Sequence, residues 1–138
     1  MNIYIGYKYR NNENKQGLKE ILTKISNSIS SLGHKTFILD RDTYDWKHAR
    51  TSTSKSIASI LKNMTKSDAF LAFIDCDSKS TGLMFETLCA KALGKKIIIA
   101  IQKGIKALPF KKYAHKTIEF ENHNDLIDKI QSSIKSLS

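Results

Sequence analysis

The sequence predicts an α/β protein built on a parallel β-sheet, with helices on both faces. Short apolar runs of strand length alternate with longer segments whose apolar residues recur at helical spacing. Two of the runs, at 69–74 and 96–101, are almost continuously apolar, as expected for strands buried on both faces. A helical segment separates each strand from the next, which is the pattern of right-handed βαβ crossovers in a doubly wound sheet.

The N-terminal half contains two predicted strands and two predicted helices. The strands lie at 2–6 and 35–39. The helix between them ends at Gly33, a residue suited to a left-handed helix terminus, and its apolar positions are Leu18, Ile21, Leu22, Ile25, Ile29 and Leu32. A polar loop comes next. Beyond it, a second amphipathic helix is predicted by the helical spacing of Ile57, Ile60, Leu61 and Met64.

The C-terminal half continues the alternation. A strand at 69–74 is followed by a helix over 82–93 that ends at Gly94, and the next strand lies at 96–101. A loop marked by Pro109 leads to a short fifth strand at 117–120, and the closing helix has apolar positions Leu126, Ile127, Ile130, Ile134 and Leu137. Five strands in this order fit the flavodoxin-like, or Rossmann-like, arrangement 2-1-3-4-5.

Size and composition favour one globular domain over 1–138. The 138 residues are 41% hydrophobic and 26% charged, which are ordinary globular values. The first apolar run is too short for a secretory signal, and no apolar stretch approaches the roughly 20 residues needed to span a bilayer. Cys76 and Cys89 lack metal-ligand spacing, as do the histidines, so we expect reduced thiols, no metal and a cytoplasmic protein.

The formal charge of +10 comes mainly from lysines that are spread along the chain. Because no recognition motif accompanies them, they indicate a solvated basic surface, and we do not expect nucleic acid as a partner. The three arginines, at 10, 41 and 50, all fall on the predicted carboxyl edge of the sheet. They favour an anionic ligand there. The alternative is local pairing with Asp40, Asp42 and Asp45.

Fold logic places the binding crevice between strands one and three, where loops 6–15 and 75–82 follow the strand ends. Ser80 and Gly82 lead into a helix N-terminus, whose free N–H groups favour an anion. Glu86 follows about one turn later, where the helix dipole favours its ionised form. Such a carboxylate could act as a nucleophile or stabilise a developing cation, and a plain surface glutamate is the alternative.

A family resemblance supports the first interpretation. Strand one with its Gly/Arg loop, the buried third strand and the run Ser80-Thr81-Gly82-Leu83-Met84-Phe85-Glu86 resemble the nucleoside 2-deoxyribosyltransferase superfamily. The later residues Ala90, Ala92, Gly94 and Lys95 add to the likeness. The better match is to the 2′-deoxynucleoside 5′-monophosphate N-glycosidase branch. The resemblance covers most of the chain and is strongest over 68–101.

The resemblance implies an enzyme of nucleotide metabolism that acts on the N-glycosidic bond of a 2′-deoxynucleoside or its 5′-monophosphate. Glu86 would attack the anomeric carbon and form a covalent sugar intermediate, which water hydrolyses or a second base captures. The implied substrate-binding residues are Tyr7, Lys8, Arg10, Asp75, Ser80 and Gly82. The family also implies a small nucleoside or nucleotide as substrate, no cofactor, and a homodimer or larger homo-oligomer.

One part of the family pattern is absent. A helix aspartate commonly precedes the nucleophile by some two dozen residues, but the corresponding segment, 59–64, contains no carboxylate. The acid that partners Glu86 therefore stays open among Asp40, Asp42, Asp45, Asp75 and Asp77. A catalytically silent nucleotide-binding or sensor module of the same fold is the alternative function.

Overall fold

A five-stranded, all-parallel sheet forms the centre of the structure, a computed structural model that describes residues 1–8, 15–46, 53–76 and 80–137. The strands are β1 (Asn2–Tyr7), β2 (Lys35–Ile38), β3 (Ala69–Ile74), β4 (Lys96–Gln102) and β5 (Lys116–Phe120). Their order in the sheet is β2-β1-β3-β4-β5, and every neighbouring pair is parallel. The predicted fold class and strand order are confirmed.

Helices cover both faces of the sheet, as predicted. They are α1 (Lys15–Ser30), α2 (Leu39–Asp42), α3 (Thr53–Lys66), α4 (Thr81–Ala92), α5 (Leu108–Lys111) and α6 (His123–Leu137). Helices α1 and α6 pack their apolar stripes on one face, while α3 and α4 cover the other. Among the described helices, none is long and apolar enough to cross a membrane.

The short helices α2 and α5 differ from the prediction. Helix α2 begins directly after β2, so the second strand ends at Ile38 and Leu39 is helical. The Asp42 carboxylate stabilises this turn because it accepts a hydrogen bond from the Ile38 backbone N–H at 2.9 Å. Helix α5 occupies the predicted Pro109 loop, and proline is well tolerated in the first turn of a helix.

Strand β1 sends its side chains alternately to the two faces of the sheet. Ile3, Ile5 and Tyr7 belong to the core beneath α1 and α6, whereas Tyr4 belongs to the core beneath α3 and α4. Gly6 shares the face of Tyr4, and a Cβ atom there would lie 2.6 Å from a Phe70 ring carbon. It would also lie 3.0 Å from a Leu83 side-chain carbon, so the missing side chain leaves room for the Phe70 ring of β3 and for Leu83 of α4.

Candidate active site

Glu86 is a buried residue on the face of α4 that packs against the sheet. Helix α4 begins after Ser80, whose hydroxyl oxygen accepts a hydrogen bond from the Leu83 backbone N–H at 3.1 Å. One turn further along the helix, Glu86 is only 6% exposed. This burial excludes the plain surface glutamate that sequence alone left open, because ionisable side chains are rarely buried without specific partners.

Tyr4 provides a direct partner for this carboxylate. Its hydroxyl group donates a hydrogen bond to Glu86 Oε2 across a fully buried contact between β1 and α4. The Tyr4 ring is fixed by Phe37 and Phe70, with ring centroids 4.9 and 5.7 Å away. A carboxylate held by a donor on a rigid strand has a defined orientation, which a nucleophile requires.

Sequence reasoning did not identify Tyr4 as a site residue, since it treated β1 as a purely structural strand. One signal was present. A tyrosine at an inward strand position needs a polar partner for its hydroxyl group. Glu86 lies between Leu83 and Ala90 on the buried stripe of α4. The other buried polar residue of this helix, Thr87, donates its hydroxyl hydrogen to the Leu83 carbonyl oxygen, so Glu86 is the acceptor that α4 presents to Tyr4.

A cavity of about 290 Å³ opens beside the N-terminus of α4. Its lining includes three residues that the sequence predicted to bind substrate, namely Lys8, Asp75 and Ser80. Much of the remaining wall is apolar and includes Ile74, Leu83, Ala107, Leu108, Pro109 and Phe110. The cavity therefore combines hydrophobic walls with a few polar groups, which is typical of small-molecule sites.

The other predicted substrate-binding residues are placed differently. Tyr7 is 3% exposed and lies in the core on the face opposite to Glu86. Its hydroxyl group accepts a hydrogen bond from the Asp40 backbone N–H at 2.9 Å, so this side chain supports the fold, and Tyr7 is not among the described residues that line the cavity beside α4. Gly82 is exposed in the first turn of α4. Arg10 lies outside the described residues.

Arg41 pairs with a neighbouring aspartate, which is the alternative to anion binding that the sequence left open for the arginines. Its guanidinium group binds Asp42 with N–O distances of 2.8 and 2.9 Å. It also donates to the Ser26 hydroxyl and the Thr36 carbonyl oxygen, each at 2.8 Å. Arg41 thus joins α1, β2 and α2 and is not available to an anion in the crevice. Arg50, like Arg10, lies outside the described residues.

The five aspartates left open as a second acid have different surroundings. Asp42 is engaged by Arg41 and by the Ile38 N–H, and Asp45 is exposed in a left-handed turn with φ 52°. Asp40 is buried, and Asp77 lies outside the described residues. Asp75 differs from these because it is half-buried and lines the cavity beside α4.

The negative charge of Glu86 affects the acidity of the Cys89 thiol. Burial raises the pKa of Cys89, and the negative charge of Glu86 raises it further. Both cysteines lie among the described residues and form no disulfide. Across the described ranges, no group of three histidine, cysteine or acidic residues could hold a metal ion.

Replacement of Glu86 is expected to make Cys89 more reactive. In a Cys76→Ala background, Glu86→Gln removes the negative charge that opposes thiolate formation, so the pKa of Cys89 falls towards its ordinary value. The pH profile of iodoacetamide alkylation should move to lower pH. Glu119→Gln, on β5, is the matched control and should leave the profile in place. An unchanged profile in Glu86→Gln would contradict an ionised Glu86 beside Cys89.

No family model and no curated protein matches this sequence. Solved structures do match its fold. A Clostridium botulinum CMP N-glycosidase, BcmB, aligns with a TM-score of 0.72 and 15% identity over 96% of this chain and 99% of that one. A 2-deoxyribosyltransferase from Bacillus psychrosaccharolyticus aligns with a TM-score of 0.70 and 20% identity, covering 93% of this chain and 91% of that chain.

The solution structure of BlsM aligns with a TM-score of 0.77 and 13% identity over 99% of this chain and 90% of the other. All three alignments extend over nearly the whole chain, so the likeness concerns the complete fold. The chain therefore has the fold of these three structures.

Proposed function

We propose that this protein is a member of the nucleoside 2-deoxyribosyltransferase superfamily and cleaves or transfers the N-glycosidic bond of a 2′-deoxynucleoside or its 5′-monophosphate. The observation that carries the proposal is the buried Glu86 carboxylate in the second turn of α4, oriented by the Tyr4 hydroxyl group. The shared fold with a CMP N-glycosidase and a 2-deoxyribosyltransferase supports the same reaction class.

In the first step, a Glu86 carboxylate oxygen forms a bond to C1′ of the sugar while the bond from C1′ to the base nitrogen breaks. The base leaves with the electron pair of that bond and accepts a proton. The oxocarbenium-like transition state carries positive charge, which the adjacent carboxylate stabilises. In the second step, water or another base attacks C1′ while the bond from C1′ to the Glu86 oxygen breaks, which restores the Glu86 carboxylate. The attacking group gives up a proton to the residue that protonated the leaving base, and the product is the free sugar or a new nucleoside.

In our proposal the cavity beside α4 contacts the rest of the substrate, and Glu86 itself is not among the described residues that line it. Lys8, Ser80 and the first N–H groups of α4, including that of Gly82, form an anion-binding group suited to a 5′-phosphate. Arg10 follows Lys8 by two residues in the sequence and completes this group in our proposal. Asp75 places a carboxyl group on the cavity wall, and we assign it the transfer of a proton to the leaving base.

The function is tested by incubation with each 2′-deoxynucleoside and each 5′-monophosphate, followed by chromatography of the free base. Addition of a second base distinguishes transfer, which gives a new nucleoside, from hydrolysis. Intact-protein mass spectrometry during turnover should detect the sugar adduct on Glu86. Failure to release or exchange any base with either substrate series would contradict the enzyme assignment.

A specific observation favours the second candidate, a nucleotide-binding module without turnover. Helix α3 spans Thr53–Lys66 and contains no acidic residue where the family commonly has its aspartate. The Asn63 side chain in this segment instead donates to the Ser59 carbonyl oxygen at 2.8 Å. Calorimetric binding of a nucleotide, combined with no base release over a long incubation, would select this function.

We further propose that the protein is a homo-oligomer that associates through α3 and α4. Large apolar side chains remain 38–45% exposed on these two neighbouring helices: Ile57, Leu61, Phe85 and Leu88. A second copy is the partner that the family resemblance implies. Such side chains at exposed positions of adjacent helices are typical of protein interfaces.

Aspartate at two of these positions is expected to give a monomer. In Leu61→Asp/Leu88→Asp, two carboxylates would be buried in the proposed interface without partners, which is costly. Size-exclusion chromatography with light scattering measures the mass of each variant. Lys24→Asp, on α1, is the control and should retain the wild-type mass. A wild-type protein that is monomeric at micromolar concentration would contradict the interface.

A further inference from the structure

A second concave surface lies on the flank of α3 that faces β2, away from the cavity beside α4. It has a volume of about 690 Å³ and contains the side chains of Lys35, Lys55, Lys62 and Lys66. We refer to this surface, between β2 and α3, as the basic groove. The lysines of α3 and Lys35 of β2 are separated in the sequence, so the fold creates this concentration of charge.

Helical periodicity arranges the α3 lysines along one wall of the basic groove. Lys55, Ser59, Lys62 and Lys66 follow spacings of four, three and four residues, so they form a stripe on one side of the helix. At 1.5 Å per residue, the stripe from Lys55 to Lys66 is about 16 Å long. Strand β2 is at the edge of the sheet and carries Lys35 on the other wall.

Among the described residues, Asp42 is the only acidic residue that lines the basic groove. Helix α3 contains no aspartate or glutamate. The carboxylate of Asp42 lines the groove, but Arg41 already pairs with it at 2.8 Å. Other polar lining groups are hydroxyl and amide side chains, which can also contact phosphate oxygens; they include Thr36, Thr43, Ser59, Asn63 and Ser67.

An aromatic ring lies among these polar groups. Phe37 lines the basic groove, is half-buried, and packs against Tyr4 with a centroid distance of 4.9 Å. An aromatic side chain in a positively charged groove can stack on any of the nucleic-acid bases, whatever the sequence. Since one strand of a duplex rises about 3.4 Å per nucleotide, a groove of about 16 Å spans about five nucleotides.

We propose that the basic groove binds single-stranded nucleic acid, with lysines contacting backbone phosphates and Phe37 stacking on a base. The ligand is a single strand because its bases are free to stack, whereas those of a duplex are paired inside it. Lysines are spread evenly along the sequence, so no sequence pattern indicates that four of them meet in the basic groove. The sequence alone therefore did not predict nucleic acid as a partner. The inference does not depend on catalysis at Glu86.

The test is fluorescence anisotropy of a labelled 20-residue oligothymidine over a range of salt concentrations. Neutralisation of four phosphates gives a slope of log K against log salt near −2.8, at about −0.7 per phosphate for single strands. Lys55→Glu/Lys62→Glu/Lys66→Glu is expected to weaken binding at least about tenfold at low salt. The milder Lys62→Ala should make the slope shallower by about 0.7.

The matched control is Lys24→Glu/Lys116→Glu/Lys135→Glu, which changes the net charge equally at exposed lysines away from the basic groove. It should lose less than about threefold in affinity. Equal losses in both triple variants, or no wild-type binding at low salt, would overturn the proposal. So would stronger competition by a duplex of equal length, or binding to anionic lipid vesicles without binding to the oligonucleotide. Glu86→Gln should bind like wild type.

Discussion

Glu86→Gln is expected to lower kcat/KM for base release at least about 10³-fold, because the amide cannot attack C1′ or neutralise the developing cation. The substitution preserves size and keeps an oxygen that can accept the Tyr4 hydrogen bond. Stability should therefore change by no more than about 1 kcal/mol. Base release is measured by chromatography, and unfolding is followed by circular dichroism.

Two controls test whether the loss of kcat/KM in Glu86→Gln comes from loss of the nucleophile. Glu20→Gln, an exposed position on α1, makes the same chemical change outside the site and should retain wild-type activity. Glu86→Gln should also give no sugar adduct in the mass spectrum. Equal activity in Glu86→Gln and wild type would remove the nucleophile from our mechanism, whatever the substrate.

Tyr4→Phe is expected to lower kcat about 10- to 100-fold with little change in KM. A hydrogen bond to a charged group is worth about 1.5–3 kcal/mol, which corresponds to this range of rates. The Phe ring retains the packing against Phe37 and Phe70. What is lost is the donor that orients the Glu86 carboxylate. Steady-state kinetics with the best substrate measures kcat and KM separately.

A second tyrosine on strand β1, Tyr7, provides the control for this prediction. Tyr7→Phe removes a buried tyrosine hydroxyl group from the same strand, but on the opposite face of the sheet. It should lose stability because the Asp40 N–H loses an acceptor, and it should retain kcat. Similar losses of kcat in Tyr4→Phe and Tyr7→Phe would indicate a general structural effect and contradict the positioning role of Tyr4.

The sequence predicted the fold because its hydrophobic periods are strong. The continuous apolar strand Ala69–Ile74 could only be buried on both faces, and the helical stripes indicated the helices between strands. Short elements were missed for a physical reason. Helix α2 is stabilised by the Asp42 side chain bonded to Ile38, and one side-chain hydrogen bond leaves no periodic pattern.

The candidate site was only partly predictable. Strand ends, a helix start and a family motif are all local in the sequence. These features predicted Glu86 and also Lys8, Asp75 and Ser80, which line the cavity. The role of Tyr4 depends on a contact across 82 positions, and no local pattern encodes it. Tyr7 lies near the strand end, but its side chain belongs to the core beneath α1 and α6, because side chains alternate between the two faces of a strand.

The long separation between Tyr4 and Glu86 has a consequence for folding. Strand β1 pairs with β2 and β3, and α4 must dock on this part of the sheet before the two side chains can meet. Contacts of such high sequence separation form late and carry a large entropic cost of chain closure. A folding intermediate with only the C-terminal βαβ units would thus hold Glu86 without its donor. The Glu86 carboxylate acquires its oriented form only when the N-terminal strand has joined the sheet.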